Sequence, residues 1–330
     1  MAGDQTLKEF IVTKNRWTQK NIPSQRGKTI IVTGTGGIGY EDALALSLAG
    51  GDVIIAGRNP QKGAQAVRRI KASYSGAQIE FEAVDLSSLD SVAAFAGRLT
   101  KRRDRIDVLI NNAGVMTPPT RQISIDGFEL QFATNYLGHF ALTARLLPLL
   151  QRAPQPRVVS VSSVAARGGR IDFDDLQAER DYKPMPVYSQ SKLACLMFAL
   201  ELQRRSDDMG WGIDSIAAHP GVSRTDLLHN APGRFSALGL IRTYMWFLFQ
   251  PAARGALPTL YAATDPSARA GAYYGPDGLG EIRGLPAAAK VPEAANDLDA
   301  ASKLWEVSER LSDIRFDDFA IHALPGSEVM

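Results

Sequence analysis

Apolar and polar positions along the chain follow two alternating rhythms. Short β-branched runs read as buried strands: Lys28–Val32 (KTIIV), Val53–Ala56 (VIIA), Ile79–Val84, Val108–Ile110, Arg157–Val161 and Ile213–Ala218. Between several of them, apolar residues recur at helical spacing, which predicts helices over Tyr40–Leu48, Gly127–Leu150 and Val187–Arg205. Asn59-Pro60 predicts one more helix start. An asparagine can cap the free amides there, and proline presets φ at the first helical position. This alternation predicts an α/β fold: one doubly wound parallel sheet with helices on both faces and right-handed crossovers. Sheets of that kind bind ligands at the carboxyl ends of their strands.

The candidate chemistry falls at those ends. After the first strand comes Thr33-Gly34-Thr35-Gly36-Gly37-Ile38-Gly39, opening a helix. Read as Gly34-x-Gly36-x-x-Gly39, it matches the dinucleotide fingerprint, in which glycines let the backbone approach a pyrophosphate at a helix N-terminus. A glycine-rich turn that only packs strand against helix is the competing reading. The acidic residue that such a fingerprint pairs with an adenosine ribose is missing: the second strand ends in Ala56-Gly57-Arg58, and Asp52 lies at its other end. A guanidinium at that place can pair with a 2′-phosphate, so NADP(H) is expected in preference to NAD(H), which stays open.

Tyr188 and Lys192 stand four positions apart on a predicted helix, hence on one face. A free phenol is a poor base at neutral pH, and a nearby ammonium favours its ionised form. The pair suits general acid/base work during hydride transfer at a carbonyl carbon. The bland reading is a core tyrosine beside a surface lysine. Two further clusters weigh against it. Val158–Ser163 is a strand ending in hydroxyls, and Asn111-Asn112-Ala113-Gly114 ends the fourth strand with small residues that can line a cofactor.

Taken in this order, the motifs resemble the short-chain dehydrogenase/reductase family, over roughly residues 27 to 264. Its marks are TGTGGIG, Asp85-Leu86 after the third strand, NNAG at 111–114, Asn135 in NYLGHF, Ser163 in VSVSS, Tyr188 and Lys192 in YSQSK, and His219-Pro220-Gly221 followed by Thr225. The resemblance implies a Rossmann fold and a role for each position. Tyr188 would donate and accept the proton, and Lys192 would hold the nicotinamide ribose and assist Tyr188. Ser163 would hydrogen-bond the substrate oxygen, with Ser162 as its rival. Asn135 would anchor a water relay to Lys192. Gly34, Thr35, Gly36, Gly37, Ile38 and Gly39 would cradle the phosphates, joined on the adenosine side by Arg58, Asp85, Leu86, Asn112, Ala113 and Gly114. Pro220, Gly221, Val222 and Thr225 would meet the nicotinamide carboxamide.

Two departures stand out. The family's glycine motif places three residues between its first two glycines, whereas only Thr35 and Gly36 separate Gly34 from Gly37, so phosphate contacts should shift. Ser163 and Tyr188 lie 25 positions apart, about twice the separation in many relatives. The added segment, Val164 to Val187, contains IDFDDL and KPMPVY. With NYLGHF and SKLACLMFALELQRR it resembles the retinol-dehydrogenase and protochlorophyllide-reductase-like branch. The resemblance implies an oxidoreductase for a hydrophobic alcohol and its ketone or aldehyde. Reduction of a conjugated C=C bond at the same site, or a dinucleotide sensor without turnover, are the alternatives.

Composition narrows the setting. Apolar residues make up 45% and charged residues 22%, with a net charge of +2, which suits a globular chain and offers no electrostatic case for nucleic acid. One cysteine, Cys195, allows neither an internal disulfide nor a Cys-rich zinc site, and no metal site is expected. His139 and His219 read as structural or loop-positioning, and Cys195 as a small buried group. Neither a signal peptide nor a run of about 20 apolar residues is seen, so a cytoplasmic protein is expected. Residues 1–26 read as an N-terminal extension and 27–330 as a single domain, with a tail from about 276 and a short helix of unknown role over Leu304–Leu311. An apolar lid is expected over about 226–250. Its densest part, 238–249, could cover a small hydrophobic substrate, touch a membrane surface, or simply pack as a core-facing helix. The resemblance further implies a homodimer or homotetramer pairing through the helices at 127–150 and 187–205.

Overall fold

Ile30, Ile31 and Val32 are fully buried at the centre of β1 (Thr29–Thr33), as expected of a strand covered on both faces. The computed structural model describes residues 16–224 and 250–321. From β1 the chain runs through α1 (Gly37–Leu48), β2 (Asp52–Gly57), α2 (Pro60–Ser73), β3 (Ile79–Ala83), α3 (Leu89–Arg102) and β4 (Val108–Asn111). It continues through α4 (Leu130–Phe132), a π-helical stretch (Ala133–Leu137), α5 (Gly138–Leu150), β5 (Arg157–Val161), α6 (Pro184–Met209) and β6 (Asp214–Ala218). Beyond lie β7 (Ser223–Arg224), β8 (Gln250–Pro251), α7 (Ala252–Gly255), α8 (Leu257–Thr264), β9 (Tyr273–Pro276), β10 (Pro286–Ala288) and α9 (Leu298–Ser312).

Among the described residues, eight strands form one sheet in the order β10-β9-β6-β5-β4-β1-β2-β3, while β7 and β8 pair separately. All neighbours in the large sheet are parallel except β9 and β10. The strand order therefore turns back at β1, which pairs β2 on one side and β4 on the other. A cleft at the carboxyl ends of β1 and β4 follows from that topology.

The α/β architecture agrees with the sequence pattern, and strand limits agree within a residue or so. Asn59 caps α2, accepting the Lys62 N–H at 2.9 Å, with Pro60 at the first helical position. Two helices differ. The pattern above does not anticipate α3, although Val92, Phe95, Ala96 and Leu99 are buried at helical spacing. The helix expected from Gly127 begins at Leu130 instead. Gly127, at φ +88°, closes a turn in which the Ser124 N–H donates to the Phe128 carbonyl, and Glu129 then caps the Phe132 N–H at 2.7 Å.

One face of the sheet packs against α3, α5 and α6, the other against α1, α2 and α8. The Leu304–Leu311 helix is part of α9, and its role is now clear. Trp305 (2% exposed) and Phe316 (1%) close an aromatic cluster with Phe140 on α5 and Phe198 on α6, at centroid distances of 5.0 to 6.4 Å. Truncating one such ring costs about 3–5 kcal/mol in a packed core. Thus α9 covers part of both helices through which the resemblance implies pairing between copies. The expected lid at 226–249 and Thr225 lie outside the described residues.

Candidate active site

At the carboxyl end of β1 the chain must turn back on itself within a few residues. Gly34 takes φ +99° and its N–H donates to the Ala56 carbonyl at 2.7 Å, which binds the turn to β2. A Cβ on Gly39 would collide with the Gly34 carbonyl and the Asn112 side chain, so only glycine fits there. Gly36 is the N-cap of α1, and no side chain caps that helix. Its first N–H groups therefore point, uncapped, from the positive end of the helix dipole toward the cleft. That donor set fits a phosphate, and the turn fits the close approach of a dinucleotide pyrophosphate. Thr35 lies against Gly57 at the end of β2, beside the exposed Arg58.

Thr33 joins the turn to β4. Its hydroxyl oxygen accepts the N–H groups of Asn112 (2.9 Å) and Ala113 (3.0 Å), while the Asn112 amide donates to the Thr33 carbonyl at 2.7 Å. Behind it stands His139, 3% exposed. His139 Nδ1 faces the Asn135 carbonyl at 2.9 Å and must donate, so Nε2 accepts the Thr33 hydroxyl at 2.9 Å. Burial holds the imidazole pKa down at about 4, aided by Lys192 and opposed by the Asn135 bond, so His139 is neutral. It is a structural strut, as the sequence suggested. Asp85 accepts the N–H and hydroxyl of Ser87 at 3.0 and 2.7 Å, and Leu86 is buried next to it.

Tyr188 (5% exposed) and Lys192 (4%) lie one turn apart on the buried face of α6. Lys192 Nζ donates to the Val161 carbonyl at the end of β5 (3.0 Å) and lies beside Gly114, 3.6 Å from where a Cβ would stand. Asn135 sits in the π-helical stretch, a geometry common at functional sites. Its amide accepts the Val115 N–H at 2.7 Å and donates to the Val115 carbonyl (3.0 Å) and the Ser191 hydroxyl (2.9 Å). One side chain thus ties the loop after β4 to α6 next to Lys192. The buried Cys195 thiol donates to the Asn135 carbonyl at 3.1 Å.

The two rival serines point differently. Ser162 is 2% exposed and its hydroxyl donates to the Lys192 carbonyl at 2.7 Å, so its proton is committed inward. Ser163 is half-buried and caps the short turn Val164–Gly168 by accepting the Ala165 N–H at 3.2 Å. Part of the added segment is bonded to the stretch between β4 and α4. Gln177 accepts the Arg121 side chain through its carbonyl (2.8 Å) and the Glu129 N–H through its amide (2.7 Å). Tyr182 donates to the Pro118 carbonyl at 2.8 Å. The loop Pro220–Val222 is half-buried beyond β6. Sequence reasoning missed Thr33, Ser191 and Gln177. Thr33 carried a visible signal, as the last strand residue before the glycine turn; the other two carried none.

Residues 28–233 match the short chain dehydrogenase family. Mouse (Mus musculus) retinol dehydrogenase 13 is 38% identical over 94% of this chain and 90% of its own length. Human (Homo sapiens) polyprenol dehydrogenase is 39% identical over 74% of this chain and 75% of its own. A crystal structure of an uncharacterized protein from Mycobacterium Paratuberculosis is 37% identical, with a TM-score of 0.75 over 91% of this chain and 98% of that one. Among the described residues no helix is long and apolar enough to cross a membrane. A family match over most of the chain, and relatives that run nearly its whole length on the same fold, lead to one conclusion: this protein belongs to the short-chain dehydrogenase/reductase family, oxidoreductases that use NAD(P) to interconvert CH–OH and C=O groups.

Proposed function

We propose that this chain is an NADP(H)-dependent oxidoreductase for a hydrophobic alcohol and its aldehyde or ketone, with Tyr188 as general acid/base. The observation that carries the reading is the placement of Lys192: its ammonium sits beside Gly114 and the end of β5, one turn from Tyr188, with Asn135 bracing the loop next to it. When bound, the nicotinamide supplies or takes up the hydride. Tyr188 gives its phenolic proton to the substrate oxygen in reduction and takes it back in oxidation. Ser163 donates its hydroxyl proton to the same oxygen. Lys192 presents its positive charge to this pocket, and Asn135 holds Val115 and Ser191 so that the charge stays in place.

On the adenosine side, the uncapped start of α1 would hold phosphate, and Arg58 with Thr35 would meet the 2′-phosphate. Asn112, Ala113 and Gly114 line the adjoining wall, and Asp85 with Leu86 borders it. The names of the relatives, retinol and polyprenol dehydrogenase, both denote isoprenoid alcohols, so long isoprenoid aldehydes are the first substrates to assay. We infer that residues 27 to 330 work as one unit. A dimer through α5 and α6 would have to displace α9 or build it into the interface.

The test is Tyr188→Phe with isoprenoid aldehydes, apolar ketones and enones, following NADPH oxidation. The variant should bind NADPH as the wild type does and lose turnover by at least about a hundredfold, the usual scale of general acid/base catalysis. Full turnover in Tyr188→Phe would refute the mechanism.

A further inference from the structure

The segment Leu279–Ile282 carries groups that neither the glycine turn nor the Tyr188–Lys192 pair uses. Glu281 holds φ +57°, a region that side chains avoid and that glycine adopts freely. The adjacent Gly280, at φ +63°, does so without strain. A carboxylate kept in a strained backbone points to a use for that carboxylate. Its Oε2 accepts the His219 Nε2–H at 2.8 Å and the Arg167 guanidinium at 2.6 Å, and Oε1 accepts the Lys290 N–H at 3.0 Å.

His219 directly follows β6 and is fully buried. Its Nδ1 accepts the Gly221 N–H at 3.2 Å, which leaves the ring proton on Nε2, facing Glu281. Burial lowers the His219 pKa, and Glu281 opposes the fall. Burial would raise the Glu281 carboxyl, but the Lys290 N–H, His219 and Arg167 together hold it below the ordinary value. Neutral His219 can thus accept from Gly221 and donate to Glu281 at once. The next residue reinforces the link. Gly221 has φ +62°, the Ile282 carbonyl fills the space its Cβ would need, and the same carbonyl accepts the Val222 N–H at 2.8 Å. Arg167 also donates to the Gly280 carbonyl at 2.9 Å, and it belongs to the turn that Ser163 caps.

We propose that Glu281 is a positioning residue for the nicotinamide half of the cleft. It fixes the Pro220–Val222 loop through His219, and it ties that loop through Arg167 to the turn carrying Ser163. The inference rests on the cofactor reading given above, and the test separates the two. Dissociation constants are measured in the full chain for NADPH and for 2′,5′-ADP, the adenosine fragment that lacks nicotinamide. Wild type is compared with Glu281→Ala, Glu281→Gly and Glu281→Gln; the glycine variant relieves the strained backbone and so guards against a failure to fold.

Loss of a charged hydrogen-bond partner should weaken NADPH at least about tenfold in the Ala and Gly variants. The same variants should bind 2′,5′-ADP within about twofold of wild type, because their adenosine end is untouched. Glu281→Gln keeps an acceptor for His219 and should restore NADPH to within about threefold. Unchanged NADPH affinity in the Gly variant, or equal losses for both ligands, would overturn the inference alone. A wild type that binds neither ligand would overturn the cofactor reading and the inference with it.

Discussion

The cleft has two ends, built in different ways. At the glycine-turn end, β1, β2, β4 and α1 meet, and Gly34, Thr33 and Asn112 lock the backbone through bonds of 2.7 to 3.0 Å. At the opposite end, the loop after β6 is held from afar, by Glu281 acting on His219 across 62 positions and by Arg167 reaching Gly280 across 113. Each end leans on a buried neutral histidine, His139 behind Thr33 and His219 behind Gly221. The glycine-turn end is thus part of the core, while the other end is a loop clamped by a second loop. Substitutions at the first should cost folding, and substitutions at the second should cost cofactor geometry.

The sharpest test of that contrast is Gly39→Ala. Its methyl would meet backbone that cannot withdraw, so stability should fall by about 3 kcal/mol or more in denaturant titration. A loss below about 1 kcal/mol would mean that the glycine-turn end yields as readily as a loop.

Acid should act through both histidines. His139 has a folded pKa of about 4, below its ordinary 6.5, so its contribution is complete above pH 6.5 and is lost as pH falls toward 4. The gap corresponds to about 3 kcal/mol, with His219 adding in the same direction. Melting temperature followed from pH 7 to 4 should drop steeply, and His139→Gln should flatten much of that slope. An acid limb as steep in the variant as in the wild type would remove His139 from the account.

Arg58→Ala should have the smallest effect, because the side chain is exposed. NADPH affinity should fall about tenfold while NADH affinity stays level, as expected for one charge-assisted contact to a 2′-phosphate. Equal affinities of the wild type for NADPH and NADH would remove the cofactor preference.

The same contrast explains what could be read in the sequence. Strands, the glycine turn and the Asn59 cap are local patterns, and they appear where the residues place them. Tyr188 and Lys192 were legible because helical spacing alone puts them on one face. Helix α3 was also local, with Ser88 as its N-cap and a buried apolar stripe, and attention to that stripe would have found it. Glu281 could not be found this way, since nothing in GLGEIRG signals a partner 62 residues earlier. Likewise, Trp305 and Phe316 show their purpose only once α5 and α6 are beside them. The inward donation of Ser162 to the Lys192 carbonyl also needed coordinates, because nothing in VSVSS shows where a hydroxyl proton goes.

The central claim is that hydride passes between a nicotinamide and a substrate carbonyl in this cleft. It is tested most directly by supplying NADPH deuterated at both C4 positions with an isoprenoid aldehyde and weighing the alcohol formed. One deuterium should appear on the carbinol carbon with the wild type and almost none with Tyr188→Phe over the same time. Alcohol formed without deuterium at that carbon would contradict it.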